Sequence, residues 1–98
     1  MSFLREDKSK KPDFTLIPYD SLARVAFRFM MGAEKYDRFN WRLGDVQTYK
    51  ESMLRHAHQY VSGDSSEDHL SAVAVNAMII MWLEDNGLEE SLHEQEAF

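Results

Sequence analysis

The side chains best suited to chemistry lie between positions 55 and 76 of the chain. Four titratable residues fall within six positions there, and they are Asp64, Glu67, Asp68 and His69. Carboxylate oxygens bind hard divalent cations such as Mg²⁺ or Mn²⁺, and such cations can bind a polyphosphate and activate a water molecule. The alternative is that the acids only complement the positive end of a helix dipole, which does not account for the histidine.

Two polar residues nearby are predicted to face the protein interior. His56 shares a helical stripe with Met53 and Tyr60. Asn76 lies seven residues after His69 in an apolar run, and therefore on the same helix face. Each can be an ordinary buried group that is hydrogen-bonded to a neighbour. Because inward polar groups on adjacent helices converge, we favour a functional role, with the histidines as metal ligands or general bases and the asparagine as a substrate contact.

The segment before these residues offers further candidates. Glu34 could reach a metal ion, although an exposed acid on a helix is commonly only solvated. Trp41 could stack on an aromatic base, or it could attach its loop to the core. Arg24 and Arg28 lie on one helix face with Lys35, and we expect Arg24 and Arg28 to be mainly solvated.

Three helices are predicted to position these groups. The first should begin at residues 20–21, which are good N-caps, and end at residues 36–37. The segment 14–18 before it should be extended, because the residue before a proline avoids the helical region. The second helix should be capped by Asp45 and should stop at Gly63.

The third predicted helix is apolar on more than one side. Ser65 and Asp68 resemble a capping box at its start, and Asn86-Gly87 is a stop signal at its end. A helix that is apolar all round is buried, so this one should lie at the centre of the fold or pack against another subunit. We therefore predict an all-α fold: a small helical bundle of three main helices plus short terminal segments, completed by oligomerisation.

Composition limits the other possibilities. The chain has 98 residues, enough for one domain, and no cysteine, which excludes disulfides and thiolate metal sites. The net charge of −6 comes from the segment after Leu83, which holds six acids and no Lys or Arg. This balance argues against nucleic-acid binding, which normally uses a basic surface. We predict a flexible N-terminal arm over residues 1–13, a helical domain over 14–86 and an acidic tail over 87–98.

The sequence also lacks the marks of export or membrane insertion. The N-terminus has no apolar signal core, and the longest apolar run is too short to span a bilayer. We therefore expect a cytoplasmic protein with no membrane partner.

An ordered set of short motifs over residues 11–83 resembles a known family. The motifs, in chain order, are Lys11-Pro12, Leu16-Ile17-Pro18, Gly32-Ala33-Glu34-Lys35-Tyr36, Asn40-Trp41-Arg42, Leu54-Arg55-His56, Gly63-Asp64, Ser66-Glu67-Asp68-His69-Leu70 and Asn76-Ala77. Together they look like the phage and bacterial dATP/dGTP diphosphohydrolase family, which includes the MazZ enzymes and is related to the MazG-like all-α nucleotide pyrophosphohydrolases.

The resemblance implies a fold, a reaction and a cofactor. It implies a helical bundle that forms a homodimer or homotetramer, in a bacterial or phage-infected cytoplasm. It implies hydrolysis of a purine deoxynucleoside triphosphate, dGTP or dATP, to the monophosphate and pyrophosphate, with two or more Mg²⁺ or Mn²⁺ ions. The chain departs from the MazG pattern, because Arg55-His56 stands where that pattern has a pair of glutamates.

The needs of this reaction suggest residue roles. Cations would bridge the acids to the phosphates, and the candidate metal ligands are Glu34, Asp64, Glu67 and Asp68. The candidate ligands or acceptors of the water's proton are His56 and His69. The candidate substrate contacts are Lys35 and Arg55 for the leaving pyrophosphate, and Asn40, Trp41 and Asn76 for sugar and base. We expect Glu67→Gln or Asp68→Asn to abolish hydrolysis.

A competing hypothesis is a non-catalytic helical module of phage type that binds a protein partner. The two-sided apolar third helix and the acidic tail would suit that role. It gives no reason, however, for inward histidines beside a carboxylate cluster, or for stabilisation by Mn²⁺.

Overall fold

The structure, a computed structural model, describes residues 10–88, and every regular element in that range is helical. Three main helices are present: α1 (Tyr19–Lys35), α2 (Val46–Val61) and α3 (His69–Asp85). Short 3₁₀ turns occur at Phe14–Leu16 and Asn40–Leu43. The prediction of an all-α fold with three main helices is confirmed. Most of the predicted arm and acidic tail lies outside the described residues.

The chain enters α1 through a turn and a proline. Asp13 accepts a hydrogen bond from the backbone N–H of Thr15 at 3.0 Å, which closes the turn at Phe14–Leu16. The prediction of an extended segment is therefore wrong for those three residues, although Ile17 is extended as expected before a proline. Pro18 is the N-cap, so α1 begins slightly earlier than predicted.

Helix α2 has the predicted boundaries. The side chain of Asp45 caps its start by accepting the backbone N–H two residues on, at 3.1 Å. Gly63, just after its end, has a φ of +91°, a conformation that favours glycine. In the preceding loop, the Tyr49 hydroxyl donates to the Trp41 carbonyl at 2.7 Å. The Tyr49 ring covers Gly44 so closely that a Cβ there would collide with it.

Helix α3 begins later than predicted. Asp68 is its N-cap and accepts the backbone N–H of Ser71 at 3.2 Å, so the expected capping box at Ser65 is wrong. The carboxylate of Asp64 accepts the backbone N–H of Ser66 at 2.8 Å and holds that segment in a turn, while Arg24 of α1 binds the N-cap Asp68 from a distant part of the chain. Asp64 and Glu67 therefore lie in a loop before α3.

Helix α3 is the central element, as predicted, and packs against both α1 and α2. The buried core is formed by Val46, Ile79 and Leu83, with Trp41 and Trp82 packed against it. Some large apolar side chains stay exposed on the described surface, among them Phe27, Met30, Met31, Leu54, Met78 and Met81. Completion of the fold by oligomerisation stays a prediction. Among residues 10–88, no helix has the length and apolar character needed to cross a membrane.

Candidate metal centre

Two buried histidines meet at the junction of α2 and α3. His56 comes from the middle of α2 and His69 from the first turn of α3, and they are 8% and 1% exposed. Their Nδ1 atoms are 2.9 Å apart, so one imidazole donates a hydrogen bond to the other. The prediction that both side chains face inward is confirmed.

His69 has a second ring nitrogen that lacks a hydrogen-bond partner. Its Nε2 is fully buried, and the nearest carboxylate oxygen, Oδ2 of Asp64, lies 3.4 Å away without hydrogen-bond geometry. A buried polar atom left unpaired costs about 1–3 kcal/mol, so such an atom calls for an explanation, such as a bound water or ion or a functional role. The hydrogen bonds from Ser66, and then the nearby imidazole of His69, lower the pKa of Asp64, which favours the carboxylate form beside this nitrogen.

Three side chains lie close enough to share one metal ion. Within the described residues, His56, Glu67 and His69 each offer a ligand atom, and these atoms all lie within 4.8 Å of one another. Two imidazole nitrogens bound to one ion at about 2.1 Å, with an angle near 90°, are about 3 Å apart. The two Nδ1 atoms are 2.9 Å apart, so an ion could take the place of the proton that they share in the structure. The donor set therefore fits a divalent ion.

The protonation states also suit metal binding, which requires neutral imidazoles and ionised carboxylates. Burial lowers the pKa of His56 and outweighs the opposing effect of Glu67, so the neutral ring is favoured. The pKa of Glu67 is lowered mainly by the hydrogen bond from Arg28.

The basic stripe of α1 contacts the acidic loop directly. Arg24 donates two hydrogen bonds to the carboxylate of Asp68, at 3.0 and 2.7 Å. Arg28 donates one to Oε1 of Glu67, at 2.7 Å. The expectation that these arginines are mainly solvated is wrong for Arg28, whose side chain is 22% exposed, whereas the Arg24 side chain is 56% exposed and stays largely solvated although it is paired. Arg24, above all, holds the pKa of Asp68 far below its usual range.

A series of clefts starts beside His56. The first, of about 380 Å³, is lined by residues that include Arg28, Lys35, His56 and Asn76. It shares lining residues with a second, of about 190 Å³, which includes Asn40 and Trp41. The second in turn adjoins a third, of about 470 Å³, lined by Phe29, Met30, Ala33, Glu34, Arg38, Phe39 and Trp41. Two of these volumes fall in the usual range for small-molecule sites.

Asn76 and Lys35 are brought to the histidine cleft, as the sequence suggested. The Asn76 amide donates to Ser52 Oγ at 3.2 Å and to the Ala72 carbonyl at 2.9 Å, which fixes its orientation. Lys35 lies at the end of α1, and its ammonium group is 5.4 Å from the centre of the Tyr36 ring.

Four other sequence candidates do not line the first cleft. Trp41 packs edge-on against Trp82, with ring centres 5.2 Å apart, and therefore attaches its loop to the core. Arg55 is exposed on α2 and lines none of the three clefts. Glu34 lines the third cleft and is not part of the three-residue cluster. Asp68 is also outside that cluster.

Two site residues were missed by the sequence reasoning. Arg28 lines two of the clefts and binds Glu67, and Ser52 lines the first cleft and binds Asn76. A signal existed for Arg28, because the spacing that places it on one face with Lys35 also allows it to reach an acidic loop. For Ser52 the sequence offered no signal.

These features define a class: a helical protein with a pair of buried imidazoles next to an exposed carboxylate, beside clefts large enough for a small anionic ligand. The sequence model of one family, described as dATP/dGTP diphosphohydrolase, N-terminal, matches residues 3–92. The chain therefore belongs to this diphosphohydrolase family, as the short motifs predicted. No curated protein and no solved structure matches the chain.

Proposed function

We propose that the protein is a metal-dependent pyrophosphohydrolase that converts a purine deoxynucleoside triphosphate, dGTP or dATP, to the monophosphate and pyrophosphate. The observation that carries this proposal is the buried pair of His56 and His69 with Glu67 beside it, at one end of a cleft lined by cationic side chains. The family description supports the choice of substrate.

In this proposal, His56, Glu67 and His69 hold a divalent ion, which when bound supplies Lewis-acid activation of the phosphate and of the attacking water. Imidazole nitrogen is a poorer ligand for Mg²⁺ than for transition metals, so of the two predicted ions Mn²⁺ fits this donor set better. Asp64, whose Oδ2 is 3.4 Å from His69 Nε2, is the next carboxylate available for a further ion.

The buried position of His69 decides its role in the proposal. Because its Nε2 has no access to solvent, His69 acts as a ligand and not as the acceptor of the water's proton. The side chain of Asp64 is 38% exposed and lies outside the three-residue cluster, so this carboxylate is available to receive that proton.

The clefts suggest how the rest of the substrate is placed. The triphosphate lies in the cleft with Lys35 and Asn76, next to the ion. The sugar passes Asn40 in the second cleft, and the base enters the third, where Phe39 and one face of Trp41 offer aromatic surface. Arg55 meets the leaving pyrophosphate only if its exposed side chain turns toward the first cleft.

The test is a panel of nucleoside and deoxynucleoside triphosphates with Mn²⁺ or Mg²⁺, with products separated by chromatography. We expect monophosphate and pyrophosphate from dGTP or dATP, and loss of that activity in His56→Gln. The matched control is His58→Gln, which changes an exposed histidine on the same helix and should leave activity intact. Release of orthophosphate, or hydrolysis of no nucleotide in the panel, would overturn the proposal.

A non-catalytic interaction module is the second candidate, and one observation favours it. Phe27, Met30 and Met31 of α1 are 62%, 52% and 58% exposed, an apolar surface typical of a docking face. That surface also suits the homodimer or homotetramer implied by the resemblance. A thermal-shift assay separates the two functions, because only the enzyme should be stabilised by Mn²⁺ together with a deoxynucleoside triphosphate.

A further inference from the structure

One ion pair connects the metal centre with the cleft beside it. Nη2 of Arg28 is 2.7 Å from Oε1 of Glu67, and the same oxygen is 3.9 Å from Nδ1 of His56. A single carboxylate oxygen thus faces both a guanidinium group and a candidate metal ligand. The Arg28 side chain is only 22% exposed, and it lines the first and second clefts.

The neighbouring ion pair, between Arg24 and Asp68, differs from the pair between Arg28 and Glu67. Arg24 binds both carboxylate oxygens of Asp68, and Asp68 also caps α3 through Ser71. Arg24 lines none of the three clefts. Its pair therefore anchors α1 to the start of α3, whereas Arg28 makes one hydrogen bond to its acid and borders open space.

We propose that Arg28 is a triphosphate-binding residue which Glu67 holds in place until a divalent cation takes that carboxylate; this inference rests on the proposed function. The Glu67 oxygen that faces His56 is Oε1, which Arg28 already binds, so a cation at His56 and the guanidinium group repel one another and compete for that oxygen. When the cation binds, Arg28 loses its partner at the edge of the first cleft. Its planar donors then match a phosphate, which accepts two parallel hydrogen bonds from a guanidinium group.

Lys35 supports this arrangement from the same helix. It lies seven residues after Arg28, hence on the same face of α1, and lines the same cleft. Two cationic side chains and the bound cation would then surround one polyphosphate. The consequence is coupling: the cation raises the affinity for the triphosphate, and the triphosphate raises the affinity for the cation by the same factor.

The experiment measures binding by calorimetry, with Mn²⁺ alone and with preformed Mn²⁺–tripolyphosphate as probes. In Arg28→Gln, Mn²⁺ alone should bind at least as tightly as in the unmodified protein, because its competitor for Glu67 is gone. The tripolyphosphate complex should bind about tenfold more weakly or worse. Arg24→Gln is the matched control, and its tripolyphosphate affinity should change by less than about twofold.

Several outcomes overturn the inference. Unchanged tripolyphosphate affinity in Arg28→Gln would refute it, and so would equal losses of Mn²⁺ and tripolyphosphate affinity in both variants, which indicate a structural role. If Arg28→Gln fails to fold, Arg28→Lys replaces it. This variant should show a smaller loss of tripolyphosphate affinity, because an ammonium group keeps the positive charge without the planar pair of donors of a guanidinium group.

The inference and the proposed function can fail separately. Binding of tripolyphosphate that depends on Arg28, in a protein that hydrolyses no nucleotide, would support the inference alone. Nucleotide hydrolysis with an unchanged KM in Arg28→Gln would support the function and refute the inference.

Discussion

The acidic residues Glu67 and Asp68 are adjacent in sequence, yet the structure predicts opposite results when each is neutralised. Glu67 lies in the three-residue cluster around His56, whereas both oxygens of Asp68 are occupied by Arg24. We therefore expect Glu67→Gln to remove Mn²⁺ binding and activity. Asp68→Asn should lower stability and keep both, in contrast to the sequence-based expectation that either change abolishes hydrolysis.

The sizes of these effects follow from the contacts. Mn²⁺ at about 100 times its Kd should stabilise the unmodified protein by about 2.7 kcal/mol. For a domain of this size, each 1 kcal/mol shifts Tm by about 4–8 °C, so the expected Mn²⁺ shift exceeds about 10 °C. Most of that shift should vanish in Glu67→Gln, which loses a ligand.

The Asp68 variants separate the helix cap from the ion pair. Asparagine is itself a good N-cap, so Asp68→Asn loses only a pair with exposed partners and its Tm should fall by a few degrees. Asp68→Ala also loses the cap to Ser71, which costs about a further 1 kcal/mol. Differential scanning fluorimetry with and without Mn²⁺ measures both quantities. Loss of the Mn²⁺ shift in Asp68→Asn, with retention in Glu67→Gln, would refute the reasoning.

Three further predictions concern pH, packing and base recognition. Burial lowers the pKa of His56, so near and below about pH 6.5 the unfolded chain binds more protons than the folded protein does. The Tm of the metal-free protein should therefore fall between pH 7 and 5, and it should fall less steeply in His56→Gln. Trp41→Ala should cost about 2 kcal/mol or more, seen as a lower urea midpoint, because Trp41 packs on Trp82; an unchanged midpoint with a raised KM would instead indicate a purely stacking role. Glu34→Gln should raise the KM for dGTP about tenfold relative to the KM for dATP, because a carboxylate in the third cleft can accept hydrogen bonds from two N–H groups of guanine. An equal change in KM for both nucleotides would contradict placement of the base beside Glu34.

Local signals in the sequence predicted those parts of the fold that local interactions determine. Asp45 and Gly63 bound α2 as predicted, because a capping carboxylate and a positive φ are properties of a few adjacent residues. The predicted start of α3 was wrong because the true start also depends on a contact between residues that are distant in sequence. Asp68 is held by Arg24 from a distant helix, and that contact has no signature in the sequence around Ser65.

The candidate site also has one part that local spacing predicts and one part that depends on packing between distant segments. Helical spacing placed His56 and Asn76 inside, and both are buried. Which carboxylate meets the histidines depends on how the loop before α3 lies against α1, and spacing alone could not distinguish Glu67 from Asp68. The role of Arg28 depends on the same packing, so a basic stripe that looked solvated became part of the site.

The balance of charge in the first cleft gives a physical reason for the order of binding and release. Arg28 and Glu67 cancel one another in the structure, so Lys35 supplies the net positive charge of the residues that line this cleft, beside the neutral imidazole of His56. A divalent cation bound at Glu67 would free Arg28 and raise the local charge by about two. A triphosphate carries about four negative charges at neutral pH and a nucleoside monophosphate about two, so the loaded cleft favours the substrate over this product. In the proposed reaction, cleavage would weaken the attraction that holds the nucleotide, and Glu67 would recover Arg28 once the cation leaves with the pyrophosphate.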